Sequence, residues 1–77
     1  MSCILIIGSE GQIGTELSIF LSKIYSKNDI ITSDLNKKTD TDFEFIKLNA
    51  LLYSDIEKVV KKYEVDDVYH LAAILSA

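Results

Sequence analysis

Seven residues near the start of the chain, Gly8-Ser9-Glu10-Gly11-Gln12-Ile13-Gly14, carry the strongest chemical signal in the sequence. Their spacing, G-x-x-G-x-x-G, suits a backbone that must come close to a bulky anion. Glycine at 8 permits a tight turn, and glycine at 11 keeps a Cβ out of the way of a pyrophosphate. Gly14 lets a following helix pack close to the preceding strand. The first turn of that helix, with Gln12 and Ile13, then offers amides without intrahelical partners and a partial positive charge. Glycines also mark ordinary turns. The pattern gains weight here because a buried strand precedes it and a helical pattern follows.

Asp34 is the second chemical element, about 20 residues beyond the last glycine and at the end of a second apolar run. A carboxylate there can accept hydrogen bonds from the hydroxyls of an adenosine ribose. It also repels a 2′-phosphate, at a cost of several kcal/mol in a partly desolvated site. NAD is therefore the expected nucleotide rather than NADP, although Lys37 and Lys38 stand close enough to receive a phosphate. Asn49 and Ala50 follow a third strand, where the asparagine amide could accept from adenine and the Ala50 amide could donate to its ring. A turn-forming role for Asn49 is equally open. Leu71, Ala72 and Ala73 end a fourth strand, the leucine placed to pack on adenine and the alanines leaving room for ribose and pyrophosphate. His70 has no identifiable carboxylate or nucleophile partner and reads as a strand histidine with a satisfied hydrogen bond. Asp66 and Asp67 read as solvated loop acids, and Cys3 as packing.

The elements that must position these groups are legible in outline. Cys3 to Ile7 is a continuous apolar run, as in a central parallel strand covered on both faces. A helix follows, with Ile13, Leu17, Leu21 and Ile24 as its stripe, Phe20 widening it, and Asn28 as a left-handed stop. Strands are expected at Ile30 to Ser33, Phe43 to Leu48 and Val65 to Leu71. Ser54-Asp55-Ile56-Glu57 has the form of a capping box opening a second helix, with Ile56, Val59, Val60 and Tyr63 on one face. The order is β-α-β-β-α-β, which predicts an α/β fold with strands arranged 3-2-1-4, half of a doubly wound parallel sheet of Rossmann type. With a fourth strand left at the edge and Val68, Leu71 and Ile74 expected to be exposed, the domain is expected to continue beyond Ala77.

Size and composition bound the alternatives. The chain has 77 residues, 48% of them hydrophobic, so it is one small domain at most and not a disordered tail. A single cysteine and a single histidine exclude a disulfide framework and a structural zinc site, and no metal is expected. The net charge of −4 argues against a nucleic-acid partner. The apolar run at the start is too short to span a membrane and lacks a basic flank, so a soluble, cytoplasmic protein is expected.

Together these residues resemble the extended short-chain dehydrogenase/reductase group, the NAD-dependent epimerase/dehydratase family. The resemblance rests on the glycine motif, Ser33-Asp34 and the ending Tyr69-His70-Leu71-Ala72-Ala73-Ile74-Leu75-Ser76-Ala77. Within the family, Gly11-Gln12-Ile13-Gly14-Thr15-Glu16-Leu17 and Leu75-Ser76-Ala77 are most similar to the L-threonine 3-dehydrogenases of short-chain type. The resemblance implies NAD as cofactor, Ser76 as a substrate contact and a homodimer at full length. It implies catalytic residues, a serine or threonine with Tyr-x-x-x-Lys, beyond Ala77, so none falls in this chain. Ile7 stands where the family usually has threonine, and Asn49 where it usually has aspartate. A nucleotide-sugar epimerase or dehydratase, a non-catalytic NAD-binding module and a fragment without its own function all remain open on the sequence.

Overall fold

The first strand is short and wholly apolar because both of its faces meet a packed layer. A computed structural model of the protein describes residues 3–71, and in it β1 spans Ile4–Ile7 with every residue buried. Ile4 and Ile6 face one layer with Leu21, Ile30 and Phe43, while Leu5 and Ile7 face the other with Ile31 and Leu48. The period-two alternation of a strand thus divides one apolar run between two half-cores.

The remaining elements are α1 (Gln12–Ser22), a 3-10 turn (Lys27–Asp29), β2 (Ile30–Asp34), β3 (Glu44–Lys47), α2 (Tyr53–Lys62) and β4 (Asp67–His70). All strand pairs are parallel, and the sheet runs β3-β2-β1-β4, the expected order. Leu5 pairs with Ile31 on one side and with Val68 on the other. The carboxyl ends of β1 and β2 therefore lie side by side, which brings the glycine motif next to Asp34. This is the Rossmann-type half-sheet, with α1 contributing to one half-core and α2 to the other.

Helix α2 packs through Ile56, Val59, Val60 and Tyr63, the face expected from the sequence. Its start differs. The N-cap is Leu52, with no side-chain capping bond, and Ser54 lies inside the helix. Asn49 explains the shift: its Oδ1 accepts from the Leu51 N–H at 2.9 Å, and its carbonyl accepts from the Leu52 N–H at 3.0 Å. That turn carries the chain into helix before Ser54 can act as a cap.

Helix α1 also departs from its expected stripe. Its buried residues are Gly14, Ser18 and Leu21, with Leu17 half-buried, whereas Ile13, Phe20 and Ile24 face outward. The close approach at Gly14 leaves no room for a side chain at that position, and the inward face runs through Gly14, Ser18 and Leu21, with Leu17 beside it. The helix stops at Ser22, with Lys23 as C-cap, and Asn28 belongs to the 3-10 turn instead of serving as a left-handed stop. Val68 is exposed as expected, but Leu71 is half-buried and packs on the first half-core. Ile74 lies outside the described residues. Asp66 is more than a solvated acid: its carboxylate accepts from the Cys3 N–H at 2.8 Å and ties the approach to β4 to the start of β1.

Candidate functional site

The glycine loop is held by β2. The N–H groups of Gly8 and Ser9 both donate to the Ser33 carbonyl, at 2.9 and 3.0 Å. Ser33 is fully buried, and its hydroxyl donates to the Ile6 carbonyl at 2.8 Å, bracing the two strands just below the loop. Gly8 has φ of 89°, a left-handed conformation that glycine adopts without strain. At Gly14 the constraint is space: a Cβ there would stand 2.3 Å from the Gly8 carbonyl oxygen and 2.7 Å from the Ser9 Cα. Gly11 is different. As N-cap of α1 it has φ −78° and ψ 170°, ordinary extended backbone that does not itself require glycine.

Gly11 also brings no side chain to cap α1, and the first turn of the helix contains no acidic residue. The positive pole of an 11-residue helix therefore faces the loop without an internal counter-charge. Thr15 closes the turn from inside, its hydroxyl donating to the Gly11 carbonyl at 2.9 Å and its N–H donating to the same oxygen. The Gly8, Ser9 and Glu10 N–H groups are spent inside the protein, so an anion here would be taken by the first-turn amides of α1.

Asp34 ends β2 beside the loop. Its Oδ2 accepts from the Glu10 N–H at 3.0 Å and its Oδ1 from the Leu35 N–H at 2.8 Å. Both oxygens are fixed in orientation, yet a carboxylate has about four acceptor sites, so capacity remains for two ribose hydroxyls. A cleft opens next to it, lined by Ile7, Gly8, Asp34, Leu35, Leu48, Asn49, Ala50 and Leu51. Aliphatic walls with one carboxylate at the rim suit a flat heterocycle attached to a ribose. Asn49 and Ala50 both line this cleft, although the Asn49 Oδ1 already accepts from the Leu51 N–H.

Glu10 is the residue that sequence reasoning missed. Its Oε1 accepts from the Lys38 N–H at 2.5 Å, the Thr39 N–H at 2.6 Å and the Thr39 hydroxyl at 2.9 Å. Its Oε2 accepts from the Thr39 hydroxyl at 3.1 Å. Burial alone would raise this carboxyl. The backbone N–H groups of Thr39 and Lys38 and the hydroxyls of Thr39 and Ser9 outweigh that effect and hold it below the ordinary glutamate range. No sequence pattern signals such a contact, because its partners lie 28 and 29 residues away in an irregular loop. The Lys37 ammonium donates to the Thr41 carbonyl at 2.9 Å and so points along its own loop.

His70 is half-buried in β4, paired in register with Ile7. Leu71, half-buried, follows it, its N–H donating to the Ile7 carbonyl at 2.9 Å. Ala72, Ala73 and Ser76 lie outside the described residues. Among the described residues no group of three or more His, Cys, Asp or Glu side chains could hold a metal ion. No helix among them is long and apolar enough to cross a membrane. The single thiol, Cys3, is raised above its ordinary range by burial and by the nearby Asp66 and Asp29 carboxylates, which disfavours a reactive thiolate.

Comparison with known proteins agrees with this geometry. The chain is 34% identical over 77 residues to the mitochondrial L-threonine 3-dehydrogenase of Bos taurus, covering 96% of this chain and 21% of that protein. It is 32% identical over 81 residues to an uncharacterized epimerase/dehydratase of Staphylococcus aureus (strain USA300), covering all of this chain and 25% of the relative. The holo form of a GalE-like L-threonine dehydrogenase from Cupriavidus necator superimposes with a TM-score of 0.83 at 34% identity, over 90% of this chain and 23% of that one. The chain thus spans about a quarter or less of the length of these relatives. The NAD dependent epimerase/dehydratase family matches residues 4–77, in keeping with the glycine loop, Asp34 and the sheet order, and the chain belongs to that family.

Proposed function

We propose that this chain is the NAD-binding portion of an oxidoreductase that oxidises L-threonine at its β-carbon, passing hydride to NAD and giving 2-amino-3-ketobutyrate. The observation that carries the cofactor half of this reading is the junction of Asp34 with the glycine loop through the Glu10 N–H. It sets a ribose acceptor and a phosphate cradle side by side in one rigid arrangement. When bound, NAD supplies the hydride acceptor. The chain's own part is to hold the pyrophosphate on the first-turn amides of α1, from Gln12 to Gly14, the ribose on Asp34 and the adenine in the adjoining cleft.

The substrate half rests on likeness to proteins named as threonine dehydrogenases, among them the bovine and Cupriavidus relatives. Proton transfer falls to residues outside this chain, with Ser76 as a candidate substrate contact. We place the full-length protein in the cytoplasm as a homodimer. A nucleotide-sugar epimerase or dehydratase is the second reading, favoured by the Staphylococcus relative. The two are separated by incubating the full-length protein with NAD and either L-threonine or a set of nucleotide sugars. Threonine-dependent growth of NADH absorbance is expected. Turnover of a nucleotide sugar with no response to threonine would overturn the substrate assignment and leave the cofactor assignment standing.

A further inference from the structure

The loop between β2 and β3 carries two lysines, Lys37 and Lys38, a few residues after Asp34, the residue that would meet the ribose. Cations in that position are what a 2′-phosphate would seek. The loop does not hang free. The Glu10 carboxylate takes both backbone N–H groups at its tip, from Lys38 and Thr39, together with the Thr39 hydroxyl. Lys37 is turned to the Thr41 carbonyl, and the far end is held by the Lys27 ammonium on Asp42 at 2.5 Å. A small polar cavity under the tip is lined by Ser9, Glu10, Thr15, Thr39 and Thr41, so the loop sits down on the glycine motif.

We propose that Glu10 is a positioning residue that sets nucleotide specificity: its carboxylate pins the 38–39 tip to the glycine loop and so keeps the Lys37 and Lys38 cations from turning to a 2′-phosphate. The proposal rests on the NAD-binding reading above and deepens it. The geometry separates the roles of the two acids. Glu10 reaches Asp34 through its backbone N–H, which any residue at position 10 other than proline supplies, whereas it reaches the lysine-bearing loop through its side chain. Removing the side chain therefore frees the loop and leaves Asp34 held.

The test uses the full-length protein as wild type, Glu10→Ala, Glu10→Gln and the triple variant Glu10→Ala/Lys37→Ala/Lys38→Ala. Affinities for NAD and NADP are measured by calorimetry, and exchange of the Lys38 and Thr39 amides is followed without nucleotide. Glu10→Ala is expected to shift the NADP-to-NAD affinity ratio toward NADP by about tenfold, the scale of one partly screened charge contact. Glu10→Gln, which keeps an acceptor and the shape, should shift it less, and the triple variant should return it close to the wild-type value. Parallel weakening of both nucleotides, or an unchanged ratio in Glu10→Ala and Glu10→Gln alike, would overturn the proposal by reducing Glu10 to a structural residue. A gain that persists in the triple variant would overturn the role given to the lysines. Wild-type protein that binds neither nucleotide would sink the NAD reading and the specificity role with it. Amide exchange then judges the anchor alone, which fails if Lys38 and Thr39 exchange equally fast with and without the Glu10 side chain.

Discussion

At the scale of single residues, the three glycines of the motif are not equivalent. Gly14 is fixed by the fold, since an added Cβ would press on the backbone of Gly8 and Ser9. Gly11 has backbone angles open to any residue, so under the proposed cradle glycine there serves the approach of a ligand and not the fold. Two substitutions in the full-length protein separate these causes. Gly14→Ala is expected to cost about 1–3 kcal/mol of stability, the range for forcing extra volume into a packed contact. Gly11→Val is expected to cost about 1 kcal/mol of stability, the loss of a favoured N-cap, while the fold survives, and to abolish measurable nucleotide binding. Unchanged affinity in Gly11→Val would remove the pyrophosphate cradle from that position. A stable Gly14→Ala protein would show that the loop can retreat from α1.

At the scale of elements, the end of α2 departs from the usual chemistry. Glu64 has φ of 52°, and the Val65 N–H reaches the Val60 carbonyl at 3.0 Å while the Glu64 N–H reaches the Lys61 carbonyl at 3.4 Å. This is a Schellman ending with glutamate where glycine is favoured. The left-handed conformation costs a non-glycine residue about 1–2 kcal/mol, and glycine gives back about 0.5–1 kcal/mol through its freer unfolded chain. Glu64→Gly should therefore stabilise the fold by about 0.5–1 kcal/mol, read as a higher urea midpoint with unchanged slope. A lower midpoint would mean that the glutamate makes a contact worth more than the strain. The same helix shows how far the sequence could be read. Its core face followed from periodicity, because Ile56, Val59, Val60 and Tyr63 obey local spacing. Its start did not, because Asn49 redirects the chain through a turn that competes with the Ser54 cap. In α1, Leu17 and Leu21 of the expected stripe pack in the core, whereas Ile13, Phe20 and Ile24 face outward. Close packing at Gly14 turns the helix so that Gly14 and Ser18 meet the sheet, a tertiary effect that hydrophobicity alone does not register. Asp34 and the glycines were legible because turn chemistry and strand ends are local. Glu10 and Ser33 were not, because their partners come from other elements.

At the scale of the molecule, four parallel strands in the order β3-β2-β1-β4 bring the ends of β1 and β2 together, and the candidate site follows from that adjacency. The sheet order was readable because right-handed crossovers leave few alternatives. Ile13 and Phe20 of α1, Ile24 just beyond its end, and Val68 and Tyr69 of β4 leave apolar surface exposed. The central claim is that Asp34 and the glycine loop form one site for NAD. Its most direct test is calorimetric titration of the full-length protein with NAD and with NADP, repeated for Asp34→Ala. The account predicts NAD binding at least about tenfold tighter than NADP, with the gap closing in the variant as both the ribose acceptor and the repulsive charge are lost. NADP bound as tightly as NAD by the unaltered protein, or a gap that survives in Asp34→Ala, would contradict it.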